Sequence, residues 1–209
     1  IMQGVPWREA SGAAFDGSGS MGNGAAMRVA PLGAYFFDDF DAVVAHARRS
    51  AEVTHAHAEG QAGAIAVAIA TACLARSMRN AREIFDTVLS FTPDSETRAG
   101  ILQASDLPLD YDVRTAVSAL GNGSRVISQD TVPFSLWCAA RHLGQFEEAM
   151  WCTVSGLGDR DTTCAIVGGI LAADPEIEIP TSWIAAREPL ENMASEKLRP
   201  LPSAGSEGA

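Results

Sequence analysis

The sequence predicts an all-α fold, on three observations. Hydrophobic residues make up 47% of the 209 residues, and alanine, the strongest helix former, recurs throughout them. Apolar positions recur at helical spacing, as at Phe40, Val43, Val44, Ala47 and Ala51. Alternating runs of β-branched and aromatic residues, the mark of strands, are scarce. With no internal repeat and no linker composition, residues 1–196 are expected to form one helical domain.

The elements follow in order. Pro6 to Ala10 opens a helix, and a glycine-rich loop runs from Gly17 to Gly24. Ala25 to Ala30 reads as a short helix or helical turn, ended near Pro31. Asp38 to Val53 is amphipathic, with Arg48 and Arg49 off the apolar stripe. Ala62 to Ala75 is apolar nearly all round, which puts it at the centre of a bundle. Asn80 to Phe91 carries Ala81, Ile84, Phe85 and Val88 at helical spacing, and Pro93-Asp94 is expected to break the chain and cap the next short helix. Tyr111 to Leu120 is closed by Gly121-Asn122-Gly123, a C-cap signal. Asp130-Thr131-Val132-Pro133 is expected to start a helix, with Pro133 near its first position. Phe146 to Val154, Thr163 to Ala173 and Trp183 to Asn192 complete the set, with Trp137, Trp151 and Trp183 as packing residues. From Lys197 to Ala209 the Pro, Ser and Gly content predicts a disordered tail.

Bulk chemistry excludes several classes. Lys plus Arg total 15 against 26 for Asp plus Glu, a net charge of −11 that repels nucleic acid. The four cysteines form no CxxC pair and sit among apolar or small residues, so buried free thiols and a reducing compartment are expected. The longest apolar uncharged run, Ala62 to Ala75, falls short of the ~18 residues of a membrane span. A cytoplasmic protein without membrane association is the expectation. The chain opens at Ile1 and enters a helix almost at once, which reads as a chain lacking an N-terminal part.

Three segments could carry chemistry. Asp159 and Asp161 stand one residue apart before a helix, with Thr162 next. Such aspartates can cap helix amides, or three oxygens can converge on a hard cation; spacing alone leaves both open. The Gly17–Gly24 loop ahead of a helical turn could cradle a phosphate through its amides, helped by Arg28, or could be a flexible connection. It matches neither GxGxxG after a strand nor a P-loop. His55 and His57 flank Ala56, where metal binding, ligand stacking and helix-end bonding are all open. His46 and His142 have no evident partner, and Asp130-Thr131 resembles a cap more than a site. No Ser-His-Asp or Cys-His arrangement emerges, and no catalytic residue is assigned.

Taken together these segments resemble the ADP-ribosylglycohydrolase family, including its dinitrogenase-reductase-activating type. Gly22-Asn23-Gly24-Ala25-Ala26-Met27-Arg28 looks like the family's GNG[SA]AMR stretch, Thr54-His55-Ala56-His57 like its TH-containing segment, and Gly158-Asp159-Arg160-Asp161-Thr162-Thr163 like its GDxDT metal motif. The pieces stand in family order between Gly12 and Asn192, and Ile179-Pro180 with Trp183 looks like the closing I-P-x-x-W. The resemblance implies an all-α orthogonal bundle and a magnesium-dependent hydrolase. It would cleave the glycosidic bond of ADP-ribose on a modified protein side chain or a small ADP-ribose conjugate. It further implies two Mg2+ ions, replaceable by Mn2+, with Asp159, Asp161 and Thr162 as ligands and Asp161 bridging. Gly22, Asn23, Gly24, Ala25, Ala26, Met27 and Arg28 would bind the ligand, the loop cradling its diphosphate and distal ribose. His55 would lie near the adenosine side or hold that loop. The family's early Thr-Asp-Asp run, which supplies further metal ligands, does not occur in this chain. The alternative is a non-catalytic ADP-ribose-binding or structural relic of the same fold.

Overall fold

A computed structural model describes residues 4–188. Among these residues it contains eleven α-helices and one 3-10 turn, and the only extended pairing is an isolated bridge between Gly22 and Ile127. The chain divides at Ile179 into a compact unit of residues 1–179 and a second unit beginning at Pro180. The domain expected over residues 1–196 is thus described as far as 188, and the tail expected over 197–209 lies outside the described residues.

The first unit is built on α4 (Ala58–Ala75). It is surrounded by α2 (Ala30–Tyr35), α3 (Phe40–Glu52), α5 (Ala81–Phe91), α6 (Glu96–Asp106), α8 (Ser128–Arg141) and α10 (Arg160–Leu171). Residues 62–74 of α4 are buried without a break. The helix starts four residues earlier than its apolar run, reaches 18 residues, and by length and composition alone could cross a membrane. Its continuous burial makes it the core helix of this unit. Small side chains on α4 let neighbours approach to backbone contact, and a Cβ added at Gly33 of α2 would collide with the carbonyl oxygen of Ala68. The remaining elements are α1 (Trp7–Ala13), the 3-10 turn Ala26–Arg28, α7 (Val113–Leu120), α9 (Phe146–Ser155) and, in the second unit, α11 (Thr181–Ala186).

Side-chain caps start five of the eleven α-helices among the described residues. Asp39 accepts from the Ala42 amide and Asn80 from the Glu83 amide, contacts each worth ~1 kcal/mol. His57 caps α4 through Nδ1, accepting from the Glu59 amide. Glu59, nearly buried, turns away from its own helix and accepts from the amides of Glu96 and Thr97 and the hydroxyl of Thr97. Together with Ser95 it caps α6, so Pro93-Asp94 breaks the chain but does not supply the cap.

Prolines account for two further differences. Pro31 begins α2 rather than ending the preceding turn, because its missing N–H falls in a first turn where no bond is made. Pro133 lies inside α8, past the first turn, and α8 begins at Ser128. Its ring is accommodated by Gly100 of α6, where an added Cβ would lie 2.7 Å from Pro133 Cγ. Separately, α10 begins at Arg160, three residues before the expected Thr163.

Trp137 is fully buried as expected, but Trp151 is 56% exposed. His46 does have a partner: its ring stacks on Phe36 at 4.3 Å. His142 Nδ1 stands 3.5 Å from Gln145 Oε1. All four cysteines are free, Cys73, Cys138 and Cys152 being buried. Near the end of the unit, buried Asp174 receives two hydrogen bonds from Arg79, at 2.8 and 3.1 Å. Burial pushes the Asp174 carboxyl up, but the Arg79 bonds outweigh it and hold its pKa below the ordinary value.

The Gly33–Ala68 approach is directly testable. Gly33→Ala should lower unfolding stability by about 1–3 kcal/mol in urea denaturation, the usual cost of overpacking. Wild-type stability in that variant would mean that α2 can move off α4.

Candidate metal and ligand site

Three segments converge beside the start of α10. The first is the glycine loop, the second the turn 121–127 after α7, and the third Gly158-Asp159. Gly158 has φ +63°, and a Cβ there would collide with the carbonyl oxygen and side chain of Asn122. That left-handed glycine lets the Asp159 amide donate to the Asn122 carbonyl at 3.2 Å. Asn122 is anchored in turn by its Nδ2 donating to the Gly156 carbonyl.

Asp159 occupies the N-cap position of α10, yet its side chain makes no capping bond. Its Oδ2 instead accepts from Asn23 Nδ2 at 2.8 Å, and the same nitrogen donates to Thr131 Oγ1 at 3.0 Å. Partial burial pushes the Asp159 pKa up, but Asn23 and the adjacent Asp161 and Thr162 outweigh it, holding the carboxyl below its usual range. Asp161 is exposed, and Thr162, only 4% exposed, points its hydroxyl at Met27 Sδ, 3.9 Å away. Two carboxylates and a hydroxyl therefore meet in the first turn of α10, where Thr131, a residue read as part of a cap, buttresses them through Asn23. Among the described residues no group of three or more His, Cys, Asp or Glu side chains comes together to hold a metal.

Next to these groups lies a cavity of about 590 Å³, within the ~300–1,000 Å³ range of small-molecule pockets. Gly22, Asn23, Gly24 and His55 stand in its wall. Ala25, Ala26, Met27 and Arg28 do not: Ala25 and Ala26 are packed into the core, Met27 turns to α10, and Arg28 acts as a clamp. The Arg28 guanidinium donates to the carbonyls of Gly24 and Ser50 and to Thr54 Oγ1. It thereby ties the glycine loop to the C-terminal end of α3, the negative end of that helix dipole.

Sequence reasoning missed the other wall: Phe15, Arg125, Val126 and Ile127. Phe15 and Val126 are exposed and hold φ of 54° and 57°, a conformation that costs a β-branched residue most. No residue type marks such a turn in sequence; the only signal was the Gly121-Asn122-Gly123 stop just before it. The bridge between Gly22 and Ile127 and the bond from the Ser128 amide to the Met21 carbonyl join the two walls.

His55 is the floor of the glycine loop. Its Nδ1 is 2.7 Å from Thr54 Oγ1, and a Cβ added at Gly22 or Gly24 would stand 3.1 Å from its ring. Burial, then the positive charge of Arg28, lowers its pKa below 6.5. The fold thus favours the neutral ring. As pH drops below about 6.5 the unfolded chain takes up this proton first, so this residue's contribution to stability falls until the folded value is passed.

An NMR titration should find His55 changing charge below pH 6.5, and Arg28→Ala should move its midpoint upward. A midpoint that stays or falls in that variant would mean that Arg28 does not act on this ring.

Comparison with known proteins bears on what this arrangement is. The family model described as ADP-ribosylglycohydrolase matches residues 2–206. A protein of Archaeoglobus fulgidus carrying the description "Uncharacterized protein" is 35% identical over 201 residues, covering 93% of this chain and 62% of its own. ADP-ribosylhydrolase ARH3 of Mus musculus is 29% identical over 214 residues, 88% of this chain and 57% of that protein. The Homo sapiens protein of the same name is 29% identical over 206 residues, 84% and 56% respectively. The chain thus spans about three-fifths of the length of these relatives. With the family model matched over nearly its whole length, and with its all-helical fold, the chain belongs to the ADP-ribosylglycohydrolase family.

Proposed function

We propose that this chain carries the ligand loop and one side of the metal centre of a magnesium-dependent hydrolase that releases ADP-ribose from a modified protein side chain or a small ADP-ribose conjugate. The observation that carries the reading is the pair of bonds from Asn23 Nδ2. They hold the glycine loop, which walls the cavity, against Asp159, which opens the carboxylate cluster. Similarity to proteins named ADP-ribosylhydrolase supports the same substrate class.

The donor set fits a hard cation. Asp159, Asp161 and Thr162 offer only oxygen, and two of them are carboxylates side by side, the chemistry magnesium selects. These three residues would hold it, and Asp161, the more exposed carboxylate, would be the one to reach a second ion. Bound there, magnesium or manganese would supply Lewis-acid polarisation and a template for sugar hydroxyls. The rest is the work of the chain. Gly22 and Gly24 lack the Cβ atoms that would crowd the His55 ring, so the loop can lie on that ring and turn its backbone to a diphosphate. The neutral His55 ring supports that loop without adding charge beneath it. Phe15, Val126 and Ile127 give the opposite wall an apolar surface that excludes water from one side of the ligand.

In the full natural chain, ADP-ribose release in magnesium buffer should fall at least about 100-fold on Asp161→Ala, a loss of the size that removing a group from the reacting centre produces. An active Asp161→Ala enzyme would overturn the metal assignment. One observation favours a second reading, a non-catalytic ADP-ribose-binding module: the described residues bring only two carboxylates together. Calorimetric titration with ADP-ribose separates the two, since binding indifferent to magnesium, without turnover, is the outcome only the module gives.

A further inference from the structure

Asn23 is 3% exposed, and its side chain is enclosed between α8 and the start of α10. Its orientation is determined by its partners. The Thr131 hydroxyl gives its proton to the Ile127 carbonyl at 2.8 Å, so toward Asn23 it can only accept. Asp159 Oδ2, 2.8 Å from the same nitrogen, is a carboxylate oxygen and also accepts. The carboxamide must therefore present its NH2 to both; reversed, its oxygen would face two acceptors in a buried place. A tie between the glycine loop and α8 needs only the Thr131 bond. The second bond, onto Asp159 Oδ2, does something more: with the Asp159 amide fixed on Asn122, it ties that oxygen to the glycine loop while the same carboxylate engages Asp161 and Thr162 on its other side.

We propose that Asn23 is a positioning residue of the metal centre: backed by Thr131, it sets the Asp159 carboxylate so that a single oxygen faces the cation, and it makes the ligand loop and the metal ligand one rigid piece. This rests on the proposed metal role of Asp159. Partners one step removed from a metal typically change its affinity 10–100-fold when lost.

The test uses Mn2+ and the full natural chain. Calorimetry should give an affinity for Mn2+ about 10–100-fold weaker in Asn23→Ala and in the near-isosteric Asn23→Leu than in wild type. At saturating Mn2+ the electron paramagnetic resonance spectrum should also change in both variants, because an unrestrained carboxylate can offer both oxygens. A purely structural asparagine would lower the melting temperature and leave that saturated spectrum as it is. Should both variants fail to fold, the wild type still decides: its Asn23 side-chain NH2 resonances should shift on titration with Mg2+, and resonances that do not move would overturn the proposal. A folded Asn23→Ala protein with wild-type Mn2+ affinity and spectrum would overturn this inference alone. A wild type that binds no Mn2+ would overturn the metal assignment and this inference with it.

Discussion

The first unit depends on one helix that has no solvent side. α4 is buried on every face, and only a helix of small residues can accept neighbours all round at backbone distance. Close packing of this kind leaves few ways for α2, α3, α8 and α10 to be arranged, because ridges meet a nearly smooth cylinder at short range. The site inherits that rigidity. His55 stands just before α4, Arg28 just before α2, Thr131 on α8 and Asp159 at the start of α10, so each site segment leaves a helix packed on the same core.

Electrostatics divides the site into two parts. Around His55 the charge is positive but spoken for: the three bonds of Arg28 go to oxygens of the protein, and burial, aided by its field, lowers the imidazole pKa. Around Asp159 the charge is negative and only half compensated, since Asn23 engages one carboxylate oxygen and Asp161 remains exposed. Asn23 is the physical border between them. An acidic cluster held in place by hydrogen bonds, with one carboxylate exposed, is a suitable environment for a metal ion.

Much of this was legible in the sequence, for identifiable reasons. The amphipathic stripe of α3 and the apolar run of α4 follow from periodicity, and Asp39 and Asn80 announce their helices because a cap is a local event. Pro133 misled because it lies inside α8, where the room for its ring is left by Gly100, on another helix. Asp159 read equally well as a cap, and only the fold shows that Asn23, 136 residues away, donates to its carboxylate. Phe15 and Val126 were invisible because their place in the cavity wall comes from left-handed backbone, which neither residue type favours. Local chemistry was readable; pairings between distant segments were not.

The Glu59 carboxylate has a consequence for how the molecule opens. It leaves α4, accepts from three donors at the first turn of α6, and lies two residues beyond His57 and four beyond His55. Fraying of α6 would strand a buried carboxylate without partners, and fraying of α4 would strip α6 of its cap. The two helix starts are therefore a single cooperative unit, and the loop resting on His55 shares its fate. A fluctuation that loosens the ligand-binding wall must also unlock the first turn of α6, which makes spontaneous opening of this site a costly and infrequent event.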